Sequence, residues 1–132
     1  QTPVAVGGAA SGGEVSRLML CIKSIIAGKL QLPSIIFDEV DTGVSGDVAN
    51  RMGLMMRAIA SALQVITITH LPQVAAKGAS HYKVYKVDDD SATHTRIRRL
   101  SDTERENELA LMLSGSASDT AALATARSLL GK

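Results

Sequence analysis

Leu32-Pro33-Ser34-Ile35-Ile36-Phe37-Asp38-Glu39 is the stretch on which the reading of the fold turns. A β-branched apolar run, opened by a proline and closed by two acids, predicts a buried strand whose carboxyl end delivers carboxylates to one place. Carboxylates so placed suit magnesium, which prefers oxygen ligands, keeps several waters and is usually held by one or two carboxylates together with substrate phosphates. One acid can serve the ion while the next polarises a water, the division of labour that phosphate hydrolysis needs. The plainer reading is a strand that ends in solvated acids.

Downstream of the acids, Val40-Asp41-Thr42-Gly43-Val44-Ser45-Gly46-Asp47 is a turn-rich loop. Ser45 suits an N-cap and Asp47 the first turn of the helix that follows, whose apolar positions are Val48, Met52, Met55, Met56, Ile59 and Leu63. Gln64-Val65-Ile66-Thr67-Ile68-Thr69-His70 is then a second β-branched strand. Strand, helix, strand with short connections is a βαβ unit, so the strands should be parallel, with a right-handed crossover. Their carboxyl ends share one edge of the sheet, where ligands bind in open α/β folds, and His70 is expected there beside Asp38 and Glu39.

Upstream, Ala10-Ser11-Gly12-Gly13-Glu14 runs into an apolar-periodic segment through Val15, Leu18, Met19, Ile22, Ile25 and Ile26. Two glycines after a serine let a ligand approach the backbone closely, and a helix starting there aims unsatisfied N–H groups and the positive end of its dipole at the turn. An anion could dock on it; the same residues also serve as an N-cap behind a flexible turn. The helix should stop near Gly28, ahead of Pro33. Residues 1–10 read as a loop or brief strand, and an opening in the middle of a ligand loop is expected of a chain whose upstream part is missing.

Beyond Pro72, which should open a short helix through Val74 to Lys77, the pattern changes. His81 to Val87 and Thr93 to Leu100 are β-prone runs joined by Asp88-Asp89-Asp90-Ser91-Ala92, a hairpin signature. Lys83, Lys86, Arg96, Arg98 and Arg99 decorate it. Such charges either form a basic patch or guard an edge strand against aggregation. Ser101-Asp102-Thr103-Glu104 is a capping-box pattern ahead of a helix ended by Gly115, and Ser116 to Asp119 starts a last helix through Leu123, Ala126, Leu129 and Leu130.

Composition narrows the function classes. The 132 residues read as one domain or part of one, short for a complete nucleotide hydrolase. Apolar residues are 45% and aromatics 2%, so the core must be aliphatic and methionine-filled. A formal charge of +1 gives no electrostatic case for nucleic-acid binding. The single cysteine, Cys21, has no intrachain disulfide partner and is expected in the core of the first helix, in a reducing compartment. No apolar run reaches membrane-spanning length and the start lacks a signal-peptide layout, so a cytoplasmic location with no membrane partner is the default expectation.

In their order, Ala10-Ser11-Gly12-Gly13-Glu14, Ile35-Ile36-Phe37-Asp38-Glu39, Asp41 and His70 resemble the signature, Walker B, D-loop and H-loop series of an ABC-type ATPase. More closely, Ser11 to Arg17, Phe37 to Gly46 and Thr69 to Ala75 resemble the C-terminal head segment of the RecN family of bacterial DNA repair proteins, relatives of the SMC proteins. The hairpin and the Glu104 to Gly115 helix fit that family too, so the likeness covers nearly the whole chain.

The resemblance implies an α/β fold: a partial P-loop NTPase head lobe of ABC type, with a parallel βαβ core, a C-terminal β-hairpin and two terminal helices. It implies an ATP site shared by two heads of a homodimer. Ser11, Gly12 and Gly13, with Glu14 at the helix start, would contact the γ-phosphate of ATP on the opposite head. Asp38 would hold Mg2+, Glu39 would orient or deprotonate the attacking water, His70 would reach the γ-phosphate, and Asp41 would couple the two sites. One departure is large: these residues contain no Gly-x-x-x-x-Gly-Lys-Ser/Thr stretch, so the phosphate-cradling N–H nest and lysine are not among them. Residues 1–132 are therefore expected to be the C-terminal lobe of a head whose N-terminal Walker A half joins it in space. In the full-length protein DNA would be the partner and the nucleoid the location. The alternatives are a noncatalytic dimerisation module that engages a partner's nucleotide, or the lobe of a transporter-type ABC ATPase.

Overall fold

The computed structural model describes residues 12–44 and 46–132. The expected loop or strand over 1–10, and the roles given to Ser11 and Ser45, lie outside them. The chain divides into two compact units, residues 1–77 and 78–132.

In the first unit, helix α1 (Gly12–Leu30) leads into strand β1 (Ser34–Asp38), followed by helix α2 (Gly46–Ile59), strand β2 (Gln64–Ile68) and the short helix α3 (Pro72–Ala75). The two strands pair in parallel, Ser34 opposite Gln64 through Asp38 opposite Ile68. This is the βαβ unit that the β-branched runs and short connections predict. One sheet face packs inward through Ile35, Phe37 and Val65 against α2, whose Ala49, Met52, Gly53 and Met56 are buried at helical spacing. Leu20, Phe37, Val44, Ala49, Met52, Met56 and Val74 form the core. A Cβ on Gly53 would meet the Gln73 carbonyl oxygen at 3.2 Å, so a glycine is what lets α2 lie this close to α3.

Four expectations are corrected here. Helix α1 runs through Gly28 to Leu30, and the chain turns instead at Gln31, whose φ is +51°. A single glycine costs a helix only about 1 kcal/mol, too little to end one of 19 residues. The apolar face of α1 is not the core face: Leu18, Met19, Ile22, Ile25 and Ile26 are exposed, and Leu20 and Ala27, seven residues apart, are buried instead. Cys21 is exposed too, lining a shallow recess with Ser24, Ile25 and Met55 rather than filling the core. Leu63 lies beyond the end of α2, in the turn before β2.

The second unit opens with an antiparallel hairpin, β3 (Tyr82–Asp88) and β4 (Thr93–Arg99), in the register Tyr82 opposite Arg99 through Asp88 opposite Thr93. Asp89 pins its turn: Oδ1 accepts from the Ser91 and Ala92 amides, both at 2.8 Å, and Oδ2 lies 2.7 Å from His94 Nε2. Those amides, Ser91 first, hold the Asp89 carboxyl down at about 2. Helices α4 (Asp102–Ser114) and α5 (Thr120–Leu129) follow. Both halves of the expected capping box form, with Glu104 N–H on Ser101 Oγ and Ser101 N–H on Glu104 Oε1, and Gly115 closes α4 in the left-handed region at φ +77°. Two of the hairpin cations are paired: Lys83 Nζ is 2.6 Å from Glu108 Oε2, and Arg98 pairs with Glu104.

His81, at the start of the hairpin, carries a pH dependence. Its Nδ1 is buried without a hydrogen-bond partner among the described residues. Burial, and then the Arg105 guanidinium, lower its pKa from 6.5; the Glu108 carboxylate opposes this and Lys83 adds to it. The folded state therefore holds His81 neutral. Its contribution to stability is complete above pH 6.5 and is lost as acidification carries pH through the lowered folded pKa. The denaturation midpoint of this unit should fall between pH 7 and pH 5.5, and His81→Gln should flatten that fall. Parallel profiles for the two proteins would exclude His81 as the cause.

Candidate functional site

The parallel register brings the candidate residues to one end of the sheet. Asp38 is the last residue of β1, opposite Ile68, the last of β2, and the Glu39 amide extends the pairing by donating to the Ile68 carbonyl at 2.9 Å. Both acids are exposed. His70, also exposed, sits two residues beyond the end of β2, on the connection into α3. Asp38, Glu39 and the His70 connection therefore share the carboxyl edge, as two parallel strands of matched length require. Gly12, Gly13 and Glu14 begin α1, two residues earlier than the expected start at Glu14, which is exposed in the first turn. Ser11 lies outside the described residues.

Glu39 has an unusual backbone. Its φ is +52°, the left-handed region that costs an L-residue roughly 1–2 kcal/mol. The conformation is held from both sides. The Glu39 N–H is fixed on Ile68, and its carbonyl accepts from the Thr42 hydroxyl at 2.8 Å and the Thr42 amide at 3.3 Å. The reversal directs the chain off the strand end into the Asp41 turn, where the Val44 amide closes on the Asp41 carbonyl at 3.1 Å. Nothing in the sequence signals it, because glutamate has no preference for this region.

Asp41, read from sequence as a turn residue, is 1% exposed, the one buried charged residue among those described. Its Oδ2 accepts the hydroxyl of Thr69, and Thr69 Oγ1 in turn accepts the Leu71 amide at 3.0 Å. Asp41 Oδ1 is buried with no hydrogen-bond partner among the described residues. Thr69 was legible only as a strand residue; its bond to a carboxyl group 28 positions away has no sequence signature.

No three His, Cys, Asp or Glu side chains converge as a metal-binding group among the described residues. An ion held by one or two carboxylates, waters and substrate phosphates needs no such cage, and the exposed Asp38 carboxyl at a strand end suits that chemistry. No helix among the described residues is long and apolar enough to cross a membrane.

Three kinds of comparison bear on the chain. No protein-family model matches it. In sequence it is 44% identical over 129 residues, 98% of its length, to the DNA repair protein RecN of Rickettsia bellii. It is 47% identical over 106 residues to that of Xylella fastidiosa, and 41% identical over 130 residues to that of Haemophilus influenzae. The chain spans 24%, 19% and 23% of these relatives, about a quarter of their length or less. In structure it resembles a chain described in work on ATP-driven dimerization and DNA-stimulated activation of SMC ATPases. That likeness has a TM-score of 0.58 and 20% identity, covering 71% of this chain and 56% of the other. The chain is thus homologous, over nearly its whole length, to one segment of the proteins named DNA repair protein RecN, and over 71% of its length it shares the fold of part of the chain from that work on SMC ATPases.

Proposed function

We propose that the chain supplies the C-terminal part of a RecN-like ABC ATPase head, which binds and hydrolyses ATP between two heads in DNA double-strand break repair and recombination. The observation that carries this reading is the register: Asp38 opposite Ile68, with the Glu39 amide on the Ile68 carbonyl, sets two acids and the His70 connection at one sheet edge. In it Asp38 is the Mg2+ ligand of the Walker B strand, the ion supplying charge neutralisation at the phosphates. Glu39 orients or deprotonates the attacking water, and His70 reaches the γ-phosphate. Ser11, Gly12, Gly13 and Glu14 present the start of α1 to the nucleotide of the second head, where backbone N–H groups and the helix dipole favour an anion. Asp41 couples the two sites. Phosphoryl transfer asks mainly for positioning and charge stabilisation, and these residue types supply both.

The lysine and glycine nest that hold the β- and γ-phosphates come, in this reading, from an N-terminal Walker A half of the same full-length protein. The exposed apolar residues fit such a partner. Ile36, Ile66 and Ile68 line the outer sheet face at 45–57% exposure, whereas parallel sheets are ordinarily covered on both faces. The full-length protein would act on DNA, in the cytoplasm at the nucleoid. The 132-residue chain alone should bind ATP weakly and turn none over. Mixing it with a separately produced N-terminal half should restore hydrolysis, and Asp38→Asn should abolish it. Nucleotide-dependent association of the halves without Asp38-dependent turnover would favour the noncatalytic dimerisation module instead.

A further inference from the structure

Given that ATPase reading, we infer that Asp41 and Thr69 form an internal strut that sets His70 against Glu39, so that both are positioning residues acting inside one head. The connection from β2 to α3 contains a closed turn. Thr69 Oγ1 accepts the Leu71 N–H at 3.0 Å, and His70 is the residue enclosed between them. A hydroxyl that accepts from its own backbone two residues on leaves its proton free to fix the turn to something else. Here that proton goes to Asp41 Oδ2, in the loop that leaves Glu39. The route runs from Glu39, whose carbonyl holds Thr42, through Asp41 in the same turn, to Thr69 and the backbone flanking His70.

Burial selects this role over a direct one. At 1% exposure, Asp41 presents no carboxyl surface to a second subunit or a nucleotide. Coupling between heads would then travel through movement of the turn that Asp41 braces. A buried carboxyl group with one oxygen unsatisfied is costly to keep, and its hydrogen bond to Thr69 is its one polar tie among the described residues. Asp38 and Glu39 are exposed on the preceding residues, which leaves Asp41 as the acid of this loop turned inward.

The test is steady-state ATP hydrolysis by the full-length protein. Thr69→Val keeps the shape and removes the hydroxyl. It should lower kcat by about 10- to 100-fold, the scale of a displaced catalytic group, and leave KM for ATP within about threefold. Thr69→Ser should recover kcat to within about threefold of the parent, because the hydroxyl is restored. Thr69→Val combined with His70→Ala should be no slower than His70→Ala alone by more than about twofold, since both act through one group. Asp41→Asn, whose amide oxygen still accepts from Thr69, should keep at least about tenfold more kcat than Asp41→Ala; this pair decides the matter if Thr69→Val does not fold. Multiplicative losses in the double variant, a Thr69→Val kcat equal to the parent's, or equal losses for Asp41→Asn and Asp41→Ala would overturn the strut. An unmodified protein that hydrolyses no ATP would instead overturn the ATPase reading and the strut with it, whereas a His70→Ala variant of full activity would leave that reading standing and overturn the strut alone.

Discussion

Glu39→Gln in the full-length protein should lower kcat for ATP hydrolysis by about 10²–10⁴-fold, the range that loss of a positioned general base produces, while ATP binding survives. The amide keeps the size of the side chain and removes its capacity to take a proton, so the loss should fall on turnover. The backbone adds a second, separable expectation. Glu39 sits at φ +52°, tied by the Ile68 carbonyl on one side and Thr42 on the other. Asparagine tolerates that region better than glutamate, so Glu39→Asn should raise stability by roughly 0.5–1 kcal/mol while abolishing hydrolysis. A glutamate kept where it strains the chain is expected of a side chain retained for chemistry. Chemical denaturation of both variants beside the turnover measurement decides between the accounts. Turnover unchanged in Glu39→Gln would remove Glu39 from the reaction. A less stable Glu39→Asn would mean that the carboxylate itself helps hold the fold.

What the sequence made legible follows from which forces are local. The parallel pair was readable because β-branched runs of strand length, one helix apart, leave few other arrangements. The capping box at Ser101 and Glu104 was readable because its partners are three residues apart. Burial of α1 was not. Periodicity shows that Leu18, Met19, Ile22, Ile25 and Ile26 share a face, but what covers a face is a tertiary fact, and within this unit the covered residues are Leu20 and Ala27. Gly28 misled for a related reason, since its weak penalty is outweighed once the turns around it have formed. For the site, the shared edge of Asp38, Glu39 and His70 followed from strand direction alone. The inward turn of Asp41 did not, because an acid among Thr, Gly and Ser reads as solvated until Thr69 comes beside it.

Phe37→Ala should destabilise the first unit by about 3–5 kcal/mol, enough to leave it marginal or unfolded. Phe37 is the one phenylalanine in a chain otherwise built on aliphatic side chains and methionine, and it is fully buried on the inner face of the parallel pair, one residue before its carboxyl end. Truncation leaves a cavity beside Met52 and Met56, which unbranched methionines fill only in part. Phe37→Leu should cost less, about 1–1.5 kcal/mol, because most of the volume is kept. The loss reaches the site directly, since Asp38 and Glu39 are the next two residues. Ile36, one position earlier, provides the contrast: it points to the other face and is 57% exposed. In the 132-residue chain Ile36→Ala should cost under about 1 kcal/mol, whereas in the full-length protein the same change should cost about 2–4 kcal/mol if the remainder of the head covers that face. Urea denaturation of the two variants in both contexts separates the cases. Equal small costs for Ile36→Ala in both would mean that the outer face of the sheet stays uncovered in the whole protein, and the proposed N-terminal partner would have to join the chain elsewhere.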